Sequence, residues 1–249
     1  MKPGKKIYFA SDFHLGFPSY EKSLEREKKV VSWLDSIRSN AREIYLLGDI
    51  FDYWFEYKKV VPRGFTRFLG KISEITDSGI PVHFFTGNHD IWIFDYLPRE
   101  TGIILHREPV IKEFNGLKFY LGHGDGLGPG DRNYKLLKKI FTCNILQWLF
   151  ARLHPNFSVW FAHKWSHNSR FSKVNDPFKG EDKESLIIYA KEMLKTQFFD
   201  YFIFGHRHIT LNHQLTDKSR FIHPGDWIDN FSYGVFDGEK VDLKFFISK

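Results

Sequence analysis

Ile44-Tyr45-Leu46-Leu47-Gly48-Asp49-Ile50-Phe51-Asp52 is a run of four apolar residues closed by a glycine and an aspartate. An apolar run that short is too brief for a helix and suits a strand buried on both faces. The Gly48-Asp49 step behind it lets the chain bend sharply while a carboxylate stands at the strand end. The same pattern recurs. Residues 7–10 lead into Ser11-Asp12-Phe13-His14, and residues 82–85 into Gly87-Asn88-His89-Asp90. Residues 117–121 lead into Gly122-His123-Gly124-Asp125, and residues 201–204 into Gly205-His206-Arg207-His208. Between the first three runs, residues 20–38 and 65–76 carry apolar side chains at helical spacing (Val30, Trp33, Leu34, Ile37; Phe68, Leu69, Ile72, Ile75). Strand alternating with helix predicts an α/β fold with a largely parallel core sheet. Asn115-Gly116 and Asp237-Gly238 each sit between strand-like runs and predict hairpins, with further strands over residues 209–214 and 220–223.

Five strand ends that each finish in a turn bearing Asp, Asn or His can converge, because the carboxyl ends of α/β strands form the crevice where ligands bind. Asp12, His14, Asp49, Asn88, His123, His206 and His208 offer carboxylate, amide and imidazole donors and no thiolate. Such a set suits Mn, Fe, Zn or Mg rather than a structural zinc. Seven donors exceed the needs of one tetrahedral ion and suit two divalent ions sharing a carboxylate, a pair able to clamp a phosphoryl group and acidify a water. Asp52 is expected to cap its turn and Asp90 to orient His89.

The series Asp12-x-His14, Gly48-Asp49, Gly87-Asn88-His89-Asp90, Gly122-His123 and Gly205-His206-x-His208 resembles the calcineurin-like metallophosphoesterases, whose pattern it repeats in order. The resemblance implies a four-layer αββα sandwich carrying the metals at the strand ends. It implies one ion at Asp12, His14, Asp49 and His208, and a second at Asp49, Asn88, His123 and His206, with Asp49 bridging. It also casts His89 as the catalytic histidine that meets a phosphate oxygen or the leaving group. A narrower resemblance, to the UDP-2,3-diacylglucosamine hydrolases of lipid A synthesis, rests on Ser11–Gly16, on Gly48–Trp54, on Asp131 and Tyr134, and on Asn168-Ser169-Arg170. It implies a pyrophosphatase that cleaves a lipid-linked sugar nucleotide with Mn²⁺ foremost, and a substrate site of Asn88, His89, Asp131, Ser169, Arg170 and His206. In one respect the chain departs from the enterobacterial members, which resemble Gly-Asn-Arg-Asp where this chain has Gly87-Asn88-His89-Asp90.

Charge isolates one segment. The 249 residues carry 36 Lys+Arg against 30 Asp+Glu, a net +6. Residues 126–180 hold nine of the bases and two of the acids, +7, which leaves 27 against 28, or −1, for the rest. This segment opens on Gly-Leu-Gly-Pro-Gly and continues as helical material in which Lys and Arg alternate with Trp148, Phe150, Trp160, Phe161 and Trp165. It reads as a helical cap inserted into one metallophosphoesterase domain spanning residues 1–249, between two halves of the sheet. Apolar rings beside bases suit a diacyl substrate and an anionic membrane surface. Nucleic acid is not expected, since the bases are confined to one segment instead of tracking along a groove. One cysteine, Cys143, excludes a disulfide framework and fits a reducing compartment. With no signal-like start and no run near the ~20 apolar residues of a membrane span, the expected place is the cytoplasm, peripheral on the inner face of the inner membrane.

Overall fold

The computed structural model describes residues 4–130, 132–160 and 177–247. Eleven strands among these residues form two sheets. The first holds β1 (Lys6–Ala10), β2 (Ala41–Leu46), β3 (Val82–Phe85), β4 (Ile104–His106), β10 (Ser232–Phe236) and β11 (Val241–Phe245) in the order β11-β10-β1-β2-β3-β4. The second holds β5 (Val110–Phe114), β6 (Leu117–Gly122), β7 (Tyr201–Phe204), β8 (Thr210–Gln214) and β9 (Arg220–Pro224) in the order β5-β6-β7-β9-β8. β1 to β4 run parallel, as do β6, β7 and β9, and the hairpin strands are antiparallel.

Side-chain alternation along the strands builds the layers. Tyr8, Ala10, Ile44, Leu46, Val82 and Phe84 face α1 (Tyr20–Arg38) and α2 (Thr66–Asp77), against Val30, Trp33, Leu34, Phe68 and Ile72. Their neighbours Ile7, Phe9, Tyr45, Leu47 and Phe85 face the other way and meet Phe119, Leu121, Ile203 and Ile222 of the second sheet. The far face of that sheet, Tyr120, Phe202, Phe204 and Phe221, is covered by Leu186, Ile187 and Ala190 of a helix at Ser185–Leu194. Helix, sheet, sheet, helix is the expected αββα sandwich, and the strands buried on both faces read as unbroken apolar runs for that reason.

Three elements lie outside the sequence expectation: the short α3 (Tyr96–Thr101), β4 and the Ser185–Leu194 helix. The basic segment contributes α4 (Arg132–Phe141), α5 (Asn144–Phe150) and helical residues 155–160, so the Ser185–Leu194 helix is α6. The segment leaves after β6 and the chain returns through α6 to β7. β6 and β7 are neighbours within the second sheet, so the segment interrupts that sheet's crossover and does not divide the two sheets. Asp131, Ser169 and Arg170, expected at the substrate site, lie outside the described residues, as do Phe161, Trp165 and Asn168.

Candidate metal centre

The turns after β1 and β2 continue the parallel pairing beyond the strands. The amide of Asp12 donates to the Gly48 carbonyl (3.0 Å), that of His14 to Asp49 (3.0 Å) and that of Leu15 to Ile50 (2.9 Å). This sets Asp12, His14 and Asp49 side by side. Asp90 fixes the third turn against the second: its carboxylate accepts from the amides of Gly87 (2.7 Å) and Ile50 (2.8 Å). Burial, with Asp49 adding to it and the Gly87 amide opposing, pushes the Asp90 pKa up to about 7. Asp90 therefore ties the second and third turns together.

Close approach dictates two glycines. A Cβ at Gly87 would stand 2.2 Å from Asp49 Oδ1, and one at Gly205 would stand 1.9 Å from Ser11 Oγ. Asp12, His14, Asp49, His206 and His208 all have positive φ, between 44° and 71°. Asn, Asp and His enter that region more readily than other side chains, and such positions gather at functional sites.

The donors converge. Nε2 of His14 and Nε2 of His208 are 3.2 Å apart, with Asp12 Oδ1 at 3.7 and 3.4 Å from them respectively. That oxygen is buried and has no hydrogen-bond partner. His123 donates from Nδ1 to the Leu47 carbonyl (2.7 Å), which turns the lone pair of Nε2 toward Asp49 Oδ2 at 3.3 Å and Asn88 Oδ1 at 3.4 Å. Donor atoms of Asp12, His14 and His208 lie within 4.8 Å of one another, and so do those of Asp49, His123 and His206. A third such group, His14, Asp49 and His89, links the two. His89 also donates from Nδ1 to the Asp52 carbonyl (3.0 Å), and its own amide donates to Asp49 Oδ1 (2.9 Å).

Lone pairs facing lone pairs, one of them on a buried oxygen without a hydrogen bond, call for a cation between them. Electrostatics agrees. Burial raises the Asp12 pKa, with His208 and His123 pulling against it. Burial disfavours ionised Asp49, yet His123 and His89 hold its pKa well below the usual value. Burial also opposes a charged His123, but Asp49, backed by Asp12 and Asp125, pushes its pKa up to about 10. Protons on such histidines stand where metal would bind, and a bound ion displaces them.

Seven expected ligands and His89 thus meet in one place. Asp226, missing from the sequence expectation, joins them: its Oδ2 is 3.5 Å from His208 Nδ1. Its signal in the sequence is weaker than that of Gly48-Asp49, since His223 and Pro224 separate Gly225-Asp226 from the apolar Phe221-Ile222 pair. Asp125, in the turn after β6, has a structural partner. It accepts from Tyr134 Oη (2.6 Å) and pairs with Lys138 Nζ (2.8 Å), so α4 is tied to the turn that carries His123.

A fold of two stacked sheets with clustered carboxylate, amide and imidazole donors at the strand ends is that of a metallophosphoesterase, and the chain belongs to the calcineurin-like phosphoesterase family, which it matches over residues 5–210. Divalent metal ions are the cofactors that this family implies, and the donor clusters fit them. Within it, the chain is similar to UDP-2,3-diacylglucosamine hydrolases. The one from Porphyromonas gingivalis is 41% identical over 254 residues, 96% of this chain and 97% of that protein. The one from Neisseria meningitidis serogroup B is 30% identical over 229 residues, 92% of each chain. Among solved structures, Yfce, a phosphoesterase from E. coli, is a distant likeness, with a TM-score of 0.48 and 15% identity over 95% of this chain and 90% of its own.

Proposed function

We propose that this chain is a metal-dependent pyrophosphatase that hydrolyses UDP-2,3-diacylglucosamine to UMP and 2,3-diacylglucosamine 1-phosphate. The observation that carries the substrate is the 41% identity to a hydrolase of that name across nearly the full length of both chains. Asp12, His14, Asp49 and His208 hold one ion; Asp49, Asn88, His123 and His206 hold the second; Mn²⁺ is the expected metal. When bound, the ions supply Lewis acidity at the phosphoryl oxygens and lower the pKa of a water. Water adds to the α-phosphorus, the bond from that phosphorus to the bridging oxygen breaks, and the bridging oxygen leaves with the sugar phosphate. His89, its Nδ1 committed to the Asp52 carbonyl, presents Nε2 to the phosphate or to the leaving oxygen. Asn88 and His206 border the phosphates, and Asp131, Ser169 and Arg170 hold the diphosphate and sugar.

The segment over residues 126–180 serves as a cap for the acyl chains and rests on the membrane surface. α4, α5 and the helical turn after them expose Leu136, Ile140, Ile145, Trp148, Leu149, Phe157 and Trp160 beside Lys135, Lys138, Lys139 and Arg152. No helix among the described residues is long and apolar enough to cross a membrane; the proposed attachment is peripheral, on the cytoplasmic face of the inner membrane. Each base near an anionic surface adds about 1 kcal/mol of attraction.

Turnover of the lipid nucleotide with Mn²⁺ is the test. Asp49→Asn should abolish it together with metal uptake. His89→Ala should lower kcat by about 10²–10⁴-fold, the range of general acid–base catalysis, with both ions retained. Cleavage of simple phosphodiesters without cleavage of the lipid nucleotide would overturn the substrate and leave the family standing.

A further inference from the structure

The connection over residues 225–231 crosses from β9 of the second sheet to β10 of the first and touches Asp12 and His208 of the candidate metal centre. Its contacts reach both sheets. The Trp227 amide donates to the Asp12 carbonyl (3.2 Å), and Asn230 Nδ2 donates to the His208 carbonyl (3.0 Å). Trp227 itself is fully buried, with its ring 5.4 Å from that of Phe13 and 5.0 Å from that of Trp33. The connection is therefore pinned in the core and cannot drift with the surface.

Asp226 uses its two carboxylate oxygens for different tasks. Oδ1 accepts three amides, from Ile228 (3.0 Å), Asp229 (2.9 Å) and Asn230 (3.0 Å), and so closes the loop. Oδ2 faces His208 Nδ1 at 3.5 Å. His208 needs such a holder. Its side chain is 36% exposed where Asp12 and His14 are fully buried, so packing alone does not fix its ring. His123 is held by the Leu47 carbonyl, and His14, fully buried, has Asp52 Oδ1 at 3.7 Å behind its Nδ1.

We propose that Asp226 is a positioning residue for the metal centre: it keeps the His208 proton on Nδ1 and turns Nε2 toward Asp12 and His14, giving the ion at that position its hold. The proposal rests on the two-ion reading above. A carboxylate behind a ligating imidazole fixes its tautomer and raises its basicity, and losing such a partner costs about 10–100-fold in metal affinity.

Asp226→Asn separates the two tasks. The amide oxygen can still accept the three loop amides, while the NH₂ group replaces Oδ2 and sets a donor against the Nδ1 proton of His208. Mn²⁺ titration of the full chain, followed by the electron paramagnetic resonance of free ion, is expected to show two ions for the parent. For D226N it should show one ion of parental affinity and one weaker by about 10–100-fold. The melting temperature in excess EDTA should move by less than about 2 °C, a change smaller than 1 kcal/mol of stability would give. Equal affinities for both ions in D226N and parent overturn the proposal, as does an equal weakening of both ions with a lower EDTA melting point, which marks a purely structural loop. Asp226→Ser, whose hydroxyl can cap the loop but cannot reach His208 as a carboxylate, repeats the comparison if D226N does not fold. A parent chain that takes up no Mn²⁺ overturns the two-ion reading itself, and its independence from Asp226 keeps the two failures apart.

Discussion

Gly87 has no room for a side chain, because its Cβ would meet both Oδ1 and the amide of Asp49, at 2.2 and 2.6 Å. Gly87→Ala should therefore push the candidate bridging carboxylate out of place. The expected cost is about 1–3 kcal/mol, the usual penalty for overpacking, with metal content falling alongside; urea unfolding and metal analysis of the same preparation check both. Gly70 is the contrast. It lies inside α2 with nothing within 4 Å of an added Cβ, so Gly70→Ala should stabilise by about 0.5–1 kcal/mol. At this scale most of the site was legible, since Asp12, His14, Asp49, Asn88, His123, His206 and His208 each stand in a turn directly after an apolar run. Asp226 was harder to read, because His223 and Pro224 separate its Gly-Asp step from the apolar run and the ring it faces comes from the turn after β7.

Among elements, α2 begins awkwardly. Its N-cap residue is Phe65, held at φ 59° and unable to cap with its side chain. The partner comes from α1, where Glu27 Oε1 accepts the amides of Arg67 (2.9 Å) and Phe68 (3.0 Å). Glu27 is itself buried. Glu27→Ala should leave those donors without their acceptor and cost about 1–3 kcal/mol in urea unfolding, and Glu27→Gln, which keeps an acceptor, should cost less. Legibility at this scale follows the strength of the local pattern. β1, β2 and β3 were readable because burial on both faces writes them as unbroken apolar runs. α6 was not, because Leu186-Ile187-Ile188-Tyr189 is apolar without a helical interval: Leu186, Ile187 and Ala190 are buried against the sheet, and Ile188 and Tyr189 between them are half-buried. β4 has three residues and α3 six, the latter with Pro98 inside its first turn, and neither is long enough to show a period.

For the whole molecule, acid stability has a definite sign. His223 is buried on β9 with Nδ1 donating to the Phe204 carbonyl (2.7 Å), and burial pushes its pKa down to about 4 from 6.5. As pH falls below 6.5 the unfolded chain gains a proton that the folded chain refuses. Stability therefore declines between pH 6.5 and about 4 and levels off below, a loss of about 3 kcal/mol from this residue. His223→Gln in EDTA should flatten that limb by a similar amount; an unchanged slope in urea unfolding across pH 4–6.5 would exclude the buried neutral histidine. The centre itself spans the molecule's main seam. Each proposed ion takes ligands from the strand ends of both sheets: Asp12, His14 and Asp49 with His208, and Asp49 and Asn88 with His123 and His206. A bound ion is then a rivet through the sandwich, and the rivet is drawn from solution. At a free-ion concentration of 100 times the dissociation constant, each site would add about 2.7 kcal/mol against opening. Scarcity of divalent metal would loosen this protein as well as silence it, so its lifetime in a cell becomes a readout of the cation supply on which its chemistry depends.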